Sequence, residues 1–172
     1  MPRVFTYGPD ALQGKMYDRI GPTEFVGGAF LHDYRLVFDK PNLKNAQEGL
    51  VNLRESPSDQ VFGAVFELSN KQFEMLDGFF GGYEQRDVRV ETLDHNTMRV
   101  RTWFARRTRS GLAASPTSLA SARLAMTENG APEEAFKTLD GIPALPEPEP
   151  EAGEDETTKC GGESDRASRE HA

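Results

Sequence analysis

"VFGAVFELSNKQFEMLDGFFGGYEQRDVRV", residues 61–90, changes its apolar period twice. Residues 61–68 are crowded with Val, Phe and Leu, as in a strand packed on both faces. Ser69 then precedes a polar turn with Gln72 three residues on, the pattern of a reciprocal helix cap. Phe73, Leu76 and Phe80 follow at spacings of three and four, and Gly78 predicts where the short helix stops. From Tyr83 the chain alternates as a strand once more. A strand, two helical turns, a greasy glycine-bearing turn and a second strand are expected here.

Working outward, "YEQRDVRVETL" (83–93) and "TMRVRTWFA" (97–105) flank the turn "DHNT" and predict a long hairpin. Upstream, "RVFTYG" (3–8) reads as a strand running into Gly8 and Pro9. "DALQGKMYDRI" (10–20) follows as a short helix with Asp10 as its cap. "TEFVGGAFLHDYRLVFD" (23–39) predicts two strands bent at "LHD", and "EGLVNLRES" and "DQVFGAVFEL" predict two more around the turn "SPSD". Residues 115–142 carry one or two closing helices. Mostly antiparallel strands with a few short helices define an α+β class and a small β-barrel.

Composition sets the outer limits. A chain of 172 residues holds one core, and no internal repeat divides it. Residues 142–172 hold nine acids and three bases, a net of −6, which leaves −2 of the total −8 for residues 1–141. The expected organisation is therefore a domain over 1–141 and a disordered acidic tail over 142–172, a candidate for recruiting a protein partner. A nearly neutral domain gives no electrostatic reason for nucleic acid or an anionic membrane as partner. The basic run Arg106, Arg107 and Arg109 reads as a solvated loop. No apolar stretch spans a bilayer and no leader pattern opens the sequence, so a soluble, cytoplasmic protein is expected. The one cysteine, Cys160, lies in the tail, which removes an intrachain disulfide and a thiol nucleophile from consideration.

Three stretches in this order resemble the gamma-glutamylcyclotransferase-like (AIG2-like) family: "VFTYGPDAL" its glycine loop, "AFLHDYRLVF" the strands after it, and residues 61–90 its "LDxFEGGY" segment. "TENGAPEEAFKTLDGI" is similar to a late family segment, so the likeness spans about residues 3–141. The resemblance implies cleavage of a γ-glutamyl amide by attack of the substrate's own α-amine on its side-chain carbonyl, releasing 5-oxoproline with no metal or cofactor. It implies that the loop of Tyr7, Gly8, Pro9 and Asp10 binds the glutamyl group, with Tyr7 as floor and Tyr83 lining the pocket. One carboxylate serves as general base and then acid.

That family glutamate falls on Phe80, and a benzyl group cannot carry protons. Pro9 also removes one N–H donor from the loop. Of the nearby acids, Glu84 is the candidate substitute base, although on an alternating strand either it or Tyr83 faces away from the pocket. Asp10 could bind an amine or cap a helix, and Asp77 fits a turn-orienting role. Trp103 reads as packing. Three readings follow: cyclotransferase activity with a relocated acid, an inactive relative that binds a small molecule or a protein partner, and amide cleavage on a larger, apolar substrate. His32, His95 and His171 lack metal-ligand spacing, the serines lack a nucleophile-elbow context, and "YGPDALQG" is no phosphate-binding fingerprint.

Overall fold

The computed structural model describes residues 1–147; the expected acidic tail, with Cys160 and His171, lies almost wholly outside them. Five strands close into a barrel in the order β1-β3-β2-β4-β5. They are β1 (Arg3–Tyr7), β2 (Glu24–Asn42), β3 (Asn45–Glu67), β4 (Tyr83–Thr92) and β5 (Thr97–Ala105). Three helices accompany them, α1 (Gln13–Ile20), α2 (Asn70–Asp77) and α3 (Pro116–Glu128), with 3-10 turns over Gly8–Ala11 and Glu133–Leu139. The expected α+β barrel is thus observed. Its sheet is mixed, because β1 closes the barrel by pairing parallel to β5 at Val4 and Arg101.

The strand pairs expected at "LHD" and "SPSD" are instead two long, irregular strands. β2 runs on through a bulge at His32–Tyr34, where Asp33 adopts φ 71°, and β3 runs through Ser58 at φ 76°. The Asp33 carboxylate accepts from the Ser58 amide at 3.1 Å, so the two irregularities brace one another and pairing continues past them.

Inside the barrel, Phe5, Leu31, Leu36, Phe38, Val51, Leu53, Val65 and Val100 form one core. A second core lies between the outside of the barrel and the helices, where Met16, Ile20, Leu68, Leu76, Phe80 and Trp103 pack with Ala125. Helix α2 begins with the expected capping box: Ser69 Oγ accepts from the Gln72 amide and Gln72 Oε1 from the Ser69 amide, both at 3.1 Å. Its end differs from expectation. Gly78 stays right-handed at φ −63°, and the left-handed residue is Gly82 at φ 84°, where a Cβ would sit 2.8 Å from Lys40 Cε. The turn needs glycine for the left-handed backbone at Gly82 rather than to stop the helix at Gly78.

Asp10 does not cap α1. A 3-10 turn intervenes and the helix starts at Gln13, whose amide donates to Glu128 Oε2 at 2.6 Å; an acid from α3 thus serves the N-terminus of α1. At the other end the packed chain runs past the expected boundary at residue 141. Ala114 donates to Pro143 and accepts from Leu145, because the departing backbone finds partners beside β3.

Candidate functional site

The glycine loop follows β1, and its shape is set by what it touches. Gly8 has φ 61° and lies against the core, where a Cβ would come 2.8 Å from Val51 Cγ2. Pro9 fits the first turn of the 3-10 segment, where a missing N–H leaves no helical bond broken. From behind, Asn129 of "TENG" fastens the loop: its Nδ2 donates to the Ala11 carbonyl and its Oδ1 accepts from Gln13 Nε2, both at 2.9 Å. That segment's likeness to the family therefore has a structural role, in holding the loop.

The turn after α2 comes to the same place. Tyr83 OH donates to the Val51 carbonyl at 2.6 Å, so Gly8 and Tyr83 both rest on Val51. Tyr7 OH donates to the Trp103 carbonyl at 2.6 Å, and the Trp103 indole stacks on Phe80 at 4.3 Å between centroids and 9° between planes. Burial holds the Tyr7 phenol well above its ordinary pKa, with Tyr83, Asp10 and Asp39 adding to the effect. Burial also raises Tyr83, followed by Asp10 and Asp39. Both phenols stay protonated and act as hydrogen-bond donors near neutral pH.

Phe80 fills this junction. It is 6% exposed, its edge meets the Tyr83 ring at 5.6 Å, and the Arg19 guanidinium carbon stands 5.7 Å from its centroid and 5.0 Å from that of Phe79. The position that the family resemblance gives to the proton carrier is held by an aromatic sandwich of Trp103, Phe80 and Arg19.

The carboxylates divide by location. Asp10 Oδ1 is bound by Arg19 at 3.2 Å and Lys15 at 3.3 Å, which joins the loop to the sandwich. Asp77 accepts from the Trp103 indole at 2.9 Å, which with Gln85 holds its carboxyl below the usual range, in keeping with the expected orienting role. Glu84 is paired with Arg86 at 2.9 Å, and Arg86 covers the Phe104 ring at 4.3 Å. Because successive strand residues point to opposite faces, Glu84 stands apart from Tyr83 and from the loop. The structure thus brings together Tyr7, Gly8, Pro9, Asp10, Phe80 and Tyr83, and leaves Glu84 elsewhere.

Sequence reasoning missed Arg19, Lys15 and Asp39. Asp39 is buried and accepts from Asn52 at 2.9 Å and Arg54 at 3.1 Å. Its signal was phase, since in "RLVFD" it alternates with the core residues Leu36 and Phe38. His32 and His95, which looked unrelated, share Glu91 at 2.7 and 3.0 Å. Among the described residues no three His, Cys, Asp or Glu side chains gather as a metal-binding group, and no helix is long and apolar enough to cross a membrane.

A five-stranded barrel on which a glycine loop and an aromatic turn both rest against Val51 has counterparts among known proteins. The chain is 28% identical to gamma-glutamylcyclotransferase of Bos taurus over 145 residues, 80% of this chain and 77% of that one. A solved gamma-glutamyl cyclotransferase superposes with a TM-score of 0.75 at 25% identity, covering 83% of this chain and 88% of its own. An uncharacterized human protein superposes at 0.74 with the same identity and coverage. No protein-family model matches. The chain is similar to gamma-glutamylcyclotransferases in sequence and in fold.

Proposed function

We propose that this chain engages a γ-glutamyl-like small molecule at the junction of the Tyr7–Asp10 loop and the Phe80–Tyr83 turn, and that it does not turn the molecule over as a cyclotransferase. The observation that carries this reading is the Phe80 ring stacked on Trp103 where the family resemblance calls for a glutamate. Intramolecular aminolysis needs one group to take a proton from the α-amine and return it to the leaving amine. Phe80 has no such atom, and Glu84 is committed to Arg86 on another face. A missing proton carrier costs about 10²–10⁴-fold in rate.

One observation favours a second reading. The Asp10 carboxylate lies in the loop itself, where Lys15 and Arg19 contact it. Those two ion pairs already occupy its Oδ1, which is why the binding reading stands first.

The test is 5-oxoproline formation from γ-glutamyl dipeptides and glutathione. The natural chain is expected to form none above background, and Phe80→Glu to gain it; Glu84→Gln in either background is expected to change nothing. Turnover by the natural chain that disappears in Asp10→Asn would establish the second reading. Turnover that disappears in Glu84→Gln would overturn both.

A further inference from the structure

The outer face of the β2–β3 ladder carries groups that the loop and turn do not use. A cavity of about 690 Å³ opens there between the strands, residues 109–112 and the chain around residues 134–143. A second, of about 320 Å³, lies beside it near Arg86 and Phe104, and the two share Asp39 and Arg54. Arg35, Val37 and Asp39 alternate with the core residues Leu36 and Phe38, and all five line this hollow.

Arg35 and Arg54 are direct partners across the ladder. Two like charges so placed repel one another unless an anion lies between them. Asp39 relieves Arg54 alone. Arg35, Arg109 and Lys137 all line the larger cavity, and none of them takes part in an ion pair within 4.0 Å among the described residues. Arg109 is held in place from outside, its Nη2 donating to the Ala46 carbonyl at 2.5 Å. Asp59, Glu134 and Asp140 share the lining, so a polyanion would meet repulsion where a singly charged group would not. Leu112 and Ile142 add apolar surface.

From this we infer a second binding site on the outer face of the ladder, taking a small organic molecule with one carboxylate or phosphate group on an apolar body. Arg35 and Arg109 hold the anion, because a guanidinium fork matches a planar or tetrahedral oxyanion with two parallel donors. The apolar body rests on Leu112 and Ile142. The cavity lining holds none of the loop or turn residues Tyr7–Asp10 and Phe80–Tyr83, although Asp39 adjoins both places.

The experiment is titration of the full chain with N-acetylleucine and with inorganic phosphate, followed by calorimetry and by backbone amide shifts. Saturable binding of at least one probe is expected, with shifts at residues 35–39 and 109–112. Arg35→Gln and Arg109→Gln should each weaken it by roughly tenfold, the worth of one charge-assisted hydrogen bond. Phosphate binding alone would show that the charge suffices without the apolar body; N-acetylleucine alone would assign the carboxylate. Absence of saturable binding by both probes would overturn the site. Affinity unchanged in both variants, with their folds intact by circular dichroism, would overturn it too, as would shifts confined to residues 7–10.

Discussion

Truncating Phe80 to alanine removes the ring on which the loop junction is built. Phe80 is 6% exposed and meets Trp103 face to face at 4.3 Å and Tyr83 edge-on at 5.6 Å. Burying a phenylalanine side chain is worth about 2–3 kcal/mol in transfer free energy. The cavity left behind and the lost ring pairing each add about 1 kcal/mol. Against this, Arg19 lies over the ring, and its long side chain can settle into part of the space. A net loss of about 3 kcal/mol is expected, and Phe80→Leu, which keeps most of the volume, should lose about 1 kcal/mol. Urea unfolding read through Trp103 fluorescence is the assay, since this is the chain's one tryptophan and it touches the altered ring. At this size a loss of 3 kcal/mol corresponds to roughly 10 °C in Tm. If Phe80→Ala costs less than about 1 kcal/mol, or no more than Phe80→Leu, the ring is not packed as described and the argument from its stacking fails.

Other substitutions probe the neighbouring contacts. Gly8→Ala combines a left-handed backbone with a Cβ 2.8 Å from Val51 Cγ2 and should cost about 2–3 kcal/mol by urea unfolding; in a Val51→Ala background the additional cost should fall by about half. Tyr83→Phe deletes the donor to the Val51 carbonyl and should cost about 1 kcal/mol with an unchanged circular dichroism spectrum. The Asp77 carboxyl is depressed first by the Trp103 indole N–H, so its folded pKa lies below its unfolded value. Its contribution is therefore complete above the unfolded value of 3.8 and is lost as pH falls through the folded one. Asp77→Asn should flatten the acid limb of the stability profile, and an unaltered limb would count against the Trp103–Asp77 bond.

What the sequence made legible was what local chemistry determines. The Ser69–Gln72 box, the 83–105 hairpin and the barrel class all rest on short-range patterns, and all appear in the structure. The misreadings arose where distant residues override local preference. Asp10 looks like a helix cap until Glu128, far along the chain, serves α1 and leaves Asp10 to Lys15 and Arg19. "LHD" and "SPSD" look like breaks until Asp33 and Ser58 brace each other. The junction itself was legible as two segments through the family resemblance of "VFTYGPDAL" and "LDGFFGGY". Its Arg19 and Trp103 partners were not, since nothing near position 80 announces a cation 61 residues earlier or an indole 23 residues later. Whether Glu84 or Tyr83 faces the junction was not legible, because a one-residue step along a strand reverses the face and sequence alone does not say which face is which.

The strand that carries the glycine loop is also the strand that shuts the barrel, and this orders events during synthesis. β1 leaves the ribosome before the other barrel strands, yet its parallel neighbour β5 and the Thr102 hydroxyl that bonds the Phe5 carbonyl are made 97 residues later. Until then, one edge of the nascent sheet has no neighbour, and Tyr7 has no Trp103 carbonyl to bind. The loop junction is therefore among the last features of the molecule to be assembled. Stalling translation ahead of residue 102 would leave a chain in which every glycine-loop residue is present and the junction does not exist.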